Sequence, residues 1–252
     1  MEIINSIDDL KIYRGKDIAI NQYISIKQPT INDITDYGEK EYYDMVYTLC
    51  FVGADLKWQL DDIHIDYTEI SDFDLFCSFL SKQFNKEQTK ILFGELIDFQ
   101  KMKIEFNEEI QESVLIQYLD NSDYIQIDRY VYTSIVSILR KMHGIKRNDE
   151  IPGNEETKRI LIEDAREEHE ENKGKQRKSV LMPLVSALVN SSGFKRDDES
   201  VFNMKIFAFM DSVARINKIK MADLLLTSGY SGFGIDLKKL NNDDTNWLGE
   251  LN

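Results

Sequence analysis

The chain has 252 residues and carries 31 Lys and Arg against 45 Asp and Glu, a formal net charge of −14. With 42% apolar and 11% aromatic residues it holds enough material for a packed core, which excludes wholesale disorder. A pI near 4.7 excludes nucleic-acid binding through a general phosphate-neutralising surface and makes basic peptides, basic proteins or metal ions the easier partners.

The length fits one large domain or two smaller ones. Only Pro29, Pro152 and Pro183 occur, so long helices are permitted almost everywhere. Cys50 and Cys77 sit inside apolar segments and are expected to be buried thiols of an intracellular protein rather than a disulfide. Residues 1–20 lack the basic start and apolar run of a secretory leader. No stretch approaches the ~18 apolar residues of a membrane span. The expectation is a soluble, cytoplasmic protein with no membrane partner.

Taken in chain order, residues 11–28 suggest a β-hairpin. Lys11-Ile12-Tyr13 leads into the turn signal Arg14-Gly15-Lys16-Asp17, and Ile18, Ile20, Tyr23, Ile24 and Ile26 follow at near-alternating positions. Pro29 ends the strand. Thr30 with Asp33 resembles a capping box. It opens a helix over 31–50 along Ile31, Ile34, Tyr37, Met45 and Leu49, with a weak point at Gly38. After the break at Gly53, short helices are expected at 54–62, at 72–84 behind the N-cap Ser71, and at 86–93.

From Phe99 the periodicity changes. Met102, Ile104 and Phe106 alternate with charged residues, and Val114, Ile116 and Tyr118 alternate after a polar turn. This predicts a second hairpin over 99–106 and 113–119, with a short strand or extended piece at 124–127. Tyr130, Ile135, Ile138, Leu139 and Met142 then line a strong helix. It should end at Gly144, with His143 as a C-terminal cap.

Residues 144–154 form a linker. Residues 154–178 hold 15 charged residues of 25, 8 acidic and 7 basic. That composition suits a solvated helix laced by i,i+4 pairs, with Glu163 and Glu167 opposed by Arg159 and Arg166, or an arm that docks a partner. Helices are expected at 180–189, with Pro183 in the first turn, at 201–219, and onward through Met221 to Leu226, ended by Gly229, Gly232 and Gly234. The regions are thus 1–144, 145–178 and 179–252, able to pack as one domain. The fold class is α+β, predominantly helical with two small antiparallel β-hairpins. No internal repeat is visible.

Chemistry-bearing motifs are sparse. His64, His143 and His169 have no metal-ligand spacing with one another or with Cys. Cys50, between Leu49 and Phe51, favours inert burial over a Cys–His nucleophile pair. The glycine cluster Gly229-Tyr230-Ser231-Gly232-Phe233-Gly234 matches neither a phosphate loop nor a nucleophile elbow. Asp61, Asp62, His64 and Asp66 form the densest cluster of ligand-type atoms, but the EF-hand pattern is absent. No catalytic, cofactor or metal residue is therefore assigned. What remains is an acidic, tyrosine-bearing surface: Tyr37, Tyr42, Tyr43 and Tyr47 on the helix at 31–50, and Glu163 and Glu167 on the helix at 155–172, are the candidate partner-binding residues. Core packing competes with that reading for the tyrosines.

The run Ile26-Lys-Gln-Pro-Thr-Ile-Asn-Asp-Ile-Thr-Asp-Tyr-Gly-Glu-Lys resembles the opening of a group of tailed-phage and prophage proteins of Gram-positive bacteria. The similarity extends through Ala54-Asp-Leu-Lys-Trp-Gln-Leu, Lys146-Arg-Asn-Asp-Glu-Ile-Pro-Gly-Asn-Glu and Tyr230-Ser-Gly-Phe-Gly-Ile-Asp-Leu-Lys-Lys. The group has no assigned enzymatic activity and is met among virion and tail morphogenesis proteins. The order of a small hairpin and a Pro-Thr helix start is also similar to tail assembly chaperones, which bind tape-measure and tail-tube subunits. The resemblance implies a non-enzymatic protein of the host bacterial cytoplasm that binds other phage structural or tail proteins, with no nucleic acid and no membrane among its partners. A homo-oligomer is left open. The alternatives are a structural subunit of the tail or baseplate that enters the virion, and a phage effector acting on a host defence protein.

Overall fold

The computed structural model describes residues 9–120, 123–175, 178–231, 239–249 and 251. Among them the chain forms twelve α-helices and two small antiparallel sheets, a mostly helical α+β fold.

The first departure from expectation is at the start. Residues 11–13 are not a strand but part of helix α1 (Asp9–Tyr13). Gly15, at φ +75°, closes the helix, its N–H donating to the Ile12 carbonyl at 2.8 Å. The buried Gln28 amide then donates to the Ile12 and Lys16 carbonyls at 3.0 and 2.7 Å. A side chain sixteen residues away thus adds a second donor to a helix end already closed by backbone N–H groups, and pins the turn after it. The hairpin itself is shorter than the pattern suggests: β1 (Ile18–Ala19) pairs with β2 (Ser25–Ile26), Ile18 opposite Ile26. Asn21 Oδ1 makes the turn by accepting from the N–H groups of Tyr23 and Ile24.

Thr30 caps α2 (Ile31–Tyr37) in a reciprocal capping box with Asp33. Gly38, at φ +105°, then separates α2 from α3 (Glu39–Cys50), so the weak point is a true break. A 3-10 turn at Gly53–Leu56 leads into α4 (Lys57–Asp62). Ser71 caps α5 (Asp72–Ser78), and Asn85 caps α6 (Lys86–Phe93). Gly53 is required by space. A Cβ there would lie 2.2 Å from the Tyr67 carbonyl oxygen, a backbone atom with nowhere to go. Gly53→Ala should cost about 1–3 kcal/mol, read as a lowered urea midpoint. Gly153→Ala, with nothing within 4 Å of its Cβ, should stay within about 0.5 kcal/mol of the parent.

The second hairpin is joined by the segment at 124–127, which is a strand. β3 (Lys103–Asn107), β4 (Glu112–Tyr118) and β5 (Tyr124–Ile127) pair antiparallel in the order β3-β4-β5. Leu115, Ile125 and Ile127 turn into the core, against helix α7 (Arg129–His143), which ends at Gly144 in the left-handed region as expected. Phe73, Phe76, Phe93, Phe99 and Tyr132 form a continuous aromatic layer beneath the sheet, with ring centroids 4.9–5.9 Å apart.

The remaining helices are α8 (Glu155–Asn172), α9 (Leu181–Val189), α10 (Asp198–Phe202), α11 (Ile206–Tyr230) and α12 (Asn242–Thr245). The helix expected over 201–219 is broken at 203–205. There Lys205 is extended and bridges antiparallel to Thr30. Ile31 N–H donates to the Met204 carbonyl at 3.1 Å, and Ile206 N–H donates to the Pro29 carbonyl at 2.9 Å. Pairing with a distant strand end competes with local helix here and wins. Glu39, at the start of α3, accepts from Ser179 Oγ and from the N–H groups of Val180 and Leu181 at 2.6–2.7 Å, which ties down the start of α9. One apolar cluster runs from Ile12 to Phe209, so residues 145–178 do not divide the core. The expected turn at Gly232 and Gly234 lies outside the described residues. No helix among the described residues is long and apolar enough to cross a membrane.

Candidate functional site on helix α8

Asn154 starts α8, its side chain accepting from Thr157 N–H at 2.8 Å. The helix carries eight acidic and three basic residues, and none of its residues is fully buried. Lys158, Leu161, Ile162, Ala165 and Arg166 are half-buried. At three- and four-residue spacing they form one stripe. This stripe is the seam by which α8 is held.

The seam is built from charge and ring contacts. Lys158 pairs with Asp66. Arg166 reaches Asp62 at 2.6 Å and Asp61 at 3.1 Å, and its guanidinium lies 5.8 Å from the Trp58 ring centre. The His169 ring sits 4.7 Å from the same indole. The hydrogen bond from Lys158, then those from Thr68, hold the Asp66 carboxyl down at about 2. The carboxylates of the 61–66 cluster are therefore engaged by α8. Among the described residues no group of three or more His, Cys, Asp or Glu is arranged to hold a metal ion. Lys158 keeps one intrahelical contact, with Glu155 at 3.7 Å, but Lys158 and Arg166 make their closer pairs across to α4 and the turn after it. A groove of about 510 Å³ remains between α8 and residues 61–67.

The opposite face is different. At about 100° of rotation per residue, Glu156, Ile160, Glu163, Asp164, Glu167 and Glu171 share the outward side, and all are exposed. Ile160 is 47% exposed and is ringed by Glu156, Glu163, Asp164 and Glu167 at i−4, i+3, i+4 and i+7. Lys158 and Arg166 turn toward the body, whereas Arg159 is exposed and lines the rim of the groove together with Glu163. Glu163 and Glu167, singled out from the sequence, therefore lie together on an acidic surface with an apolar centre.

The tyrosines divide. Tyr42 and Tyr43 are core residues, not surface ones, at 0% and 5% exposure. The buried face of α3 is Tyr42, Tyr43, Met45, Val46, Leu49 and Cys50. Tyr47 is exposed and Tyr37 is half-buried. Tyr37, Tyr42, Tyr43 and Tyr47 do form a chain of ring contacts, at 6.2, 5.5 and 5.8 Å between successive centres, but it runs into the core. His143, expected to cap α7, is instead buried. Its Nδ1 contacts the Leu139 carbonyl and its Nε2 the Tyr42 hydroxyl, each at 2.7 Å.

Both cysteines are free and buried. Burial pushes each thiol up to about 12, so both are protonated and unreactive at neutral pH. The one seam signal present in the sequence was the stripe Lys158, Ile162, Arg166 and His169. Which acids it would meet was not visible locally. No protein-family model matches the chain, and no curated protein or solved structure is similar to it.

Proposed function

We propose that this protein is a non-enzymatic binding protein of phage tail or virion morphogenesis, of the tail-assembly-chaperone kind, and that α8 is the element its partner takes. The observation that carries the reading is the division of α8 into a basic seam toward the body and an acidic outer face around Ile160. A helix held by a few ion pairs, with its acids turned outward, is a presented surface. The phage setting comes from the sequence resemblance. The partner is another phage structural or tail protein offering a basic surface with an apolar centre. The net charge speeds the encounter, the acids fix the register, and burial of Ile160 supplies the short-range contact.

The test is a tagged pull-down from phage-infected cells beside mass spectrometry of purified virions. Tape-measure or tail-tube subunits should be recovered with the tagged protein, and the protein should be absent from virions. Glu163→Lys combined with Glu167→Lys should weaken capture about tenfold, with thermal unfolding unchanged. Presence in virions at fixed copy number would move the assignment to a structural subunit of the tail or baseplate. Capture of a host protein alone would overturn both.

A further inference from the structure

The outer edge of the three-stranded sheet is β3, which pairs with β4 on one side and with no strand on the other among the described residues. Its sequence is Lys103-Ile104-Glu105-Phe106-Asn107. An unpaired edge presents a row of free N–H and C=O groups, and proteins normally blunt such an edge. Among the described residues this edge has no proline and no second strand, and only its short length and the charges of Lys103 and Glu105 blunt it. It also carries apolar groups where solvent would be expected. Ile104 stands opposite Leu115 and Phe106 opposite Ser113, so both point to the core side of the sheet. The core ends at Leu115, leaving Ile104 50% and Phe106 60% exposed. Lys103 and Glu105 point to the other face. Lys103 has no ion-pair partner among the described residues, and Glu105 accepts from the Tyr118 hydroxyl at 2.8 Å.

We propose that β3 is a self-pairing edge: two copies of the chain join antiparallel about a twofold axis through Ile104. The charges favour this register, because an axis through Phe106 would set Glu105 opposite Asn107 and form no opposite-charge pair within the strand. An axis through Glu105 would set Glu105 against its own copy, and an axis through Lys103 would do the same with Lys103. Both put like charges directly opposite each other, which is destabilising. An axis through Ile104 instead sets Lys103 opposite Glu105 of the second copy, twice. On the other face it gathers both copies of Ile104 and Phe106 into one apolar cluster. The contact is isologous, as a twofold dimer requires, and it continues the two three-stranded sheets into one of six. The edge is short, so the dimer is weak, with a dissociation constant of roughly 10 μM to 1 mM. This surface is separate from α8, and the inference stands whatever α8 binds.

The test is sedimentation equilibrium of the full chain up to about 1 mM. Wild-type protein should dimerise. Lys103→Glu and Glu105→Lys, taken singly, each replace both attractive pairs with repulsive ones and should weaken the dimer about tenfold. The double charge swap restores opposite charges across the axis and should recover the wild-type constant, which also shows that the sheet still folds. A monomer across the whole range would overturn the proposal. So would single variants that dimerise like the parent, or a folded double variant that does not recover. Wild-type protein that stays monomeric and takes up an extended peptide of another protein along β3 would overturn it too.

Discussion

Acidification from pH 7.5 to pH 4 will cost this fold about 3 kcal/mol through His143 alone. The ring is fully enclosed, with the Leu139 carbonyl on one nitrogen and the Tyr42 hydroxyl on the other. A carbonyl can only accept, so Nδ1 carries the proton and the tyrosine donates to Nε2. Burial pulls the imidazole down from its ordinary 6.5 to about 4, although the Leu139 carbonyl works the other way. The unfolded chain takes up a proton as pH falls through 6.5, and the folded chain does not until about 4. Stability is therefore complete above pH 6.5, falls between 6.5 and 4, and is flat below. About 2.5 pH units at 1.36 kcal/mol each give the magnitude. Urea midpoints at several pH values will show it. His143→Gln should be less stable at neutral pH but should lose about 3 kcal/mol less than the parent across the window. Equal pH slopes in the two proteins would refute the assignment. Carboxylates titrate alike in both and cancel from the comparison.

Phe99→Ala should be the most damaging single truncation, at about 3–5 kcal/mol. Phe99 has no exposed surface and stands edge-on to both Phe76 and Phe93, at 5.9 and 5.0 Å. It joins α5, α6 and the approach to β3 in one layer. Against a total stability of roughly 5–15 kcal/mol, that loss would bring the protein near unfolding at physiological temperature. The control is Phe106→Ala. Its ring is 60% exposed, so at micromolar concentration the change should stay within about 0.5 kcal/mol. Chemical denaturation followed by near-ultraviolet circular dichroism would separate the two. A loss below about 1 kcal/mol at Phe99 would mean the aromatic layer is not a cooperative part of the fold.

Legibility in the sequence followed the range of the forces involved. Thr30 with Asp33, Ser71 and Gly144 were readable because a cap is satisfied within a few residues. The sheet at 103–118 was readable because alternation is local, and the charged helix at 155–172 because its composition leaves it no core to enter. The failures share one cause. Residues 11–13 are helical, and the buried Gln28 amide anchors that turn through the Ile12 and Lys16 carbonyls. Residues 203–205 leave the helix because Pro29–Ile31 pair with them. Tyr42 faces inward, where α7 supplies His143 as its hydrogen-bond partner, and Tyr43 packs its ring against both. In each case the deciding group lies far along the chain. The site shows the same split: the acidity of Glu163 and Glu167 was plain, but the division of α8 into two faces needed the positions of Trp58, Asp61, Asp62 and Asp66.

The junction of Pro29–Ile31 with Met204–Ile206 also imposes an order on biosynthesis. The two segments are about 175 residues apart. At about 5–20 residues per second a ribosome needs roughly 10–35 s to deliver the second after the first. Throughout that interval the N-terminal third has its β2 end and its α2 start unclosed, and for most of it Glu39 waits for Val180. A nascent chain stalled before residue 206 should thus remain protease-sensitive around residues 27–40, and should become resistant there only once α11 has begun to emerge.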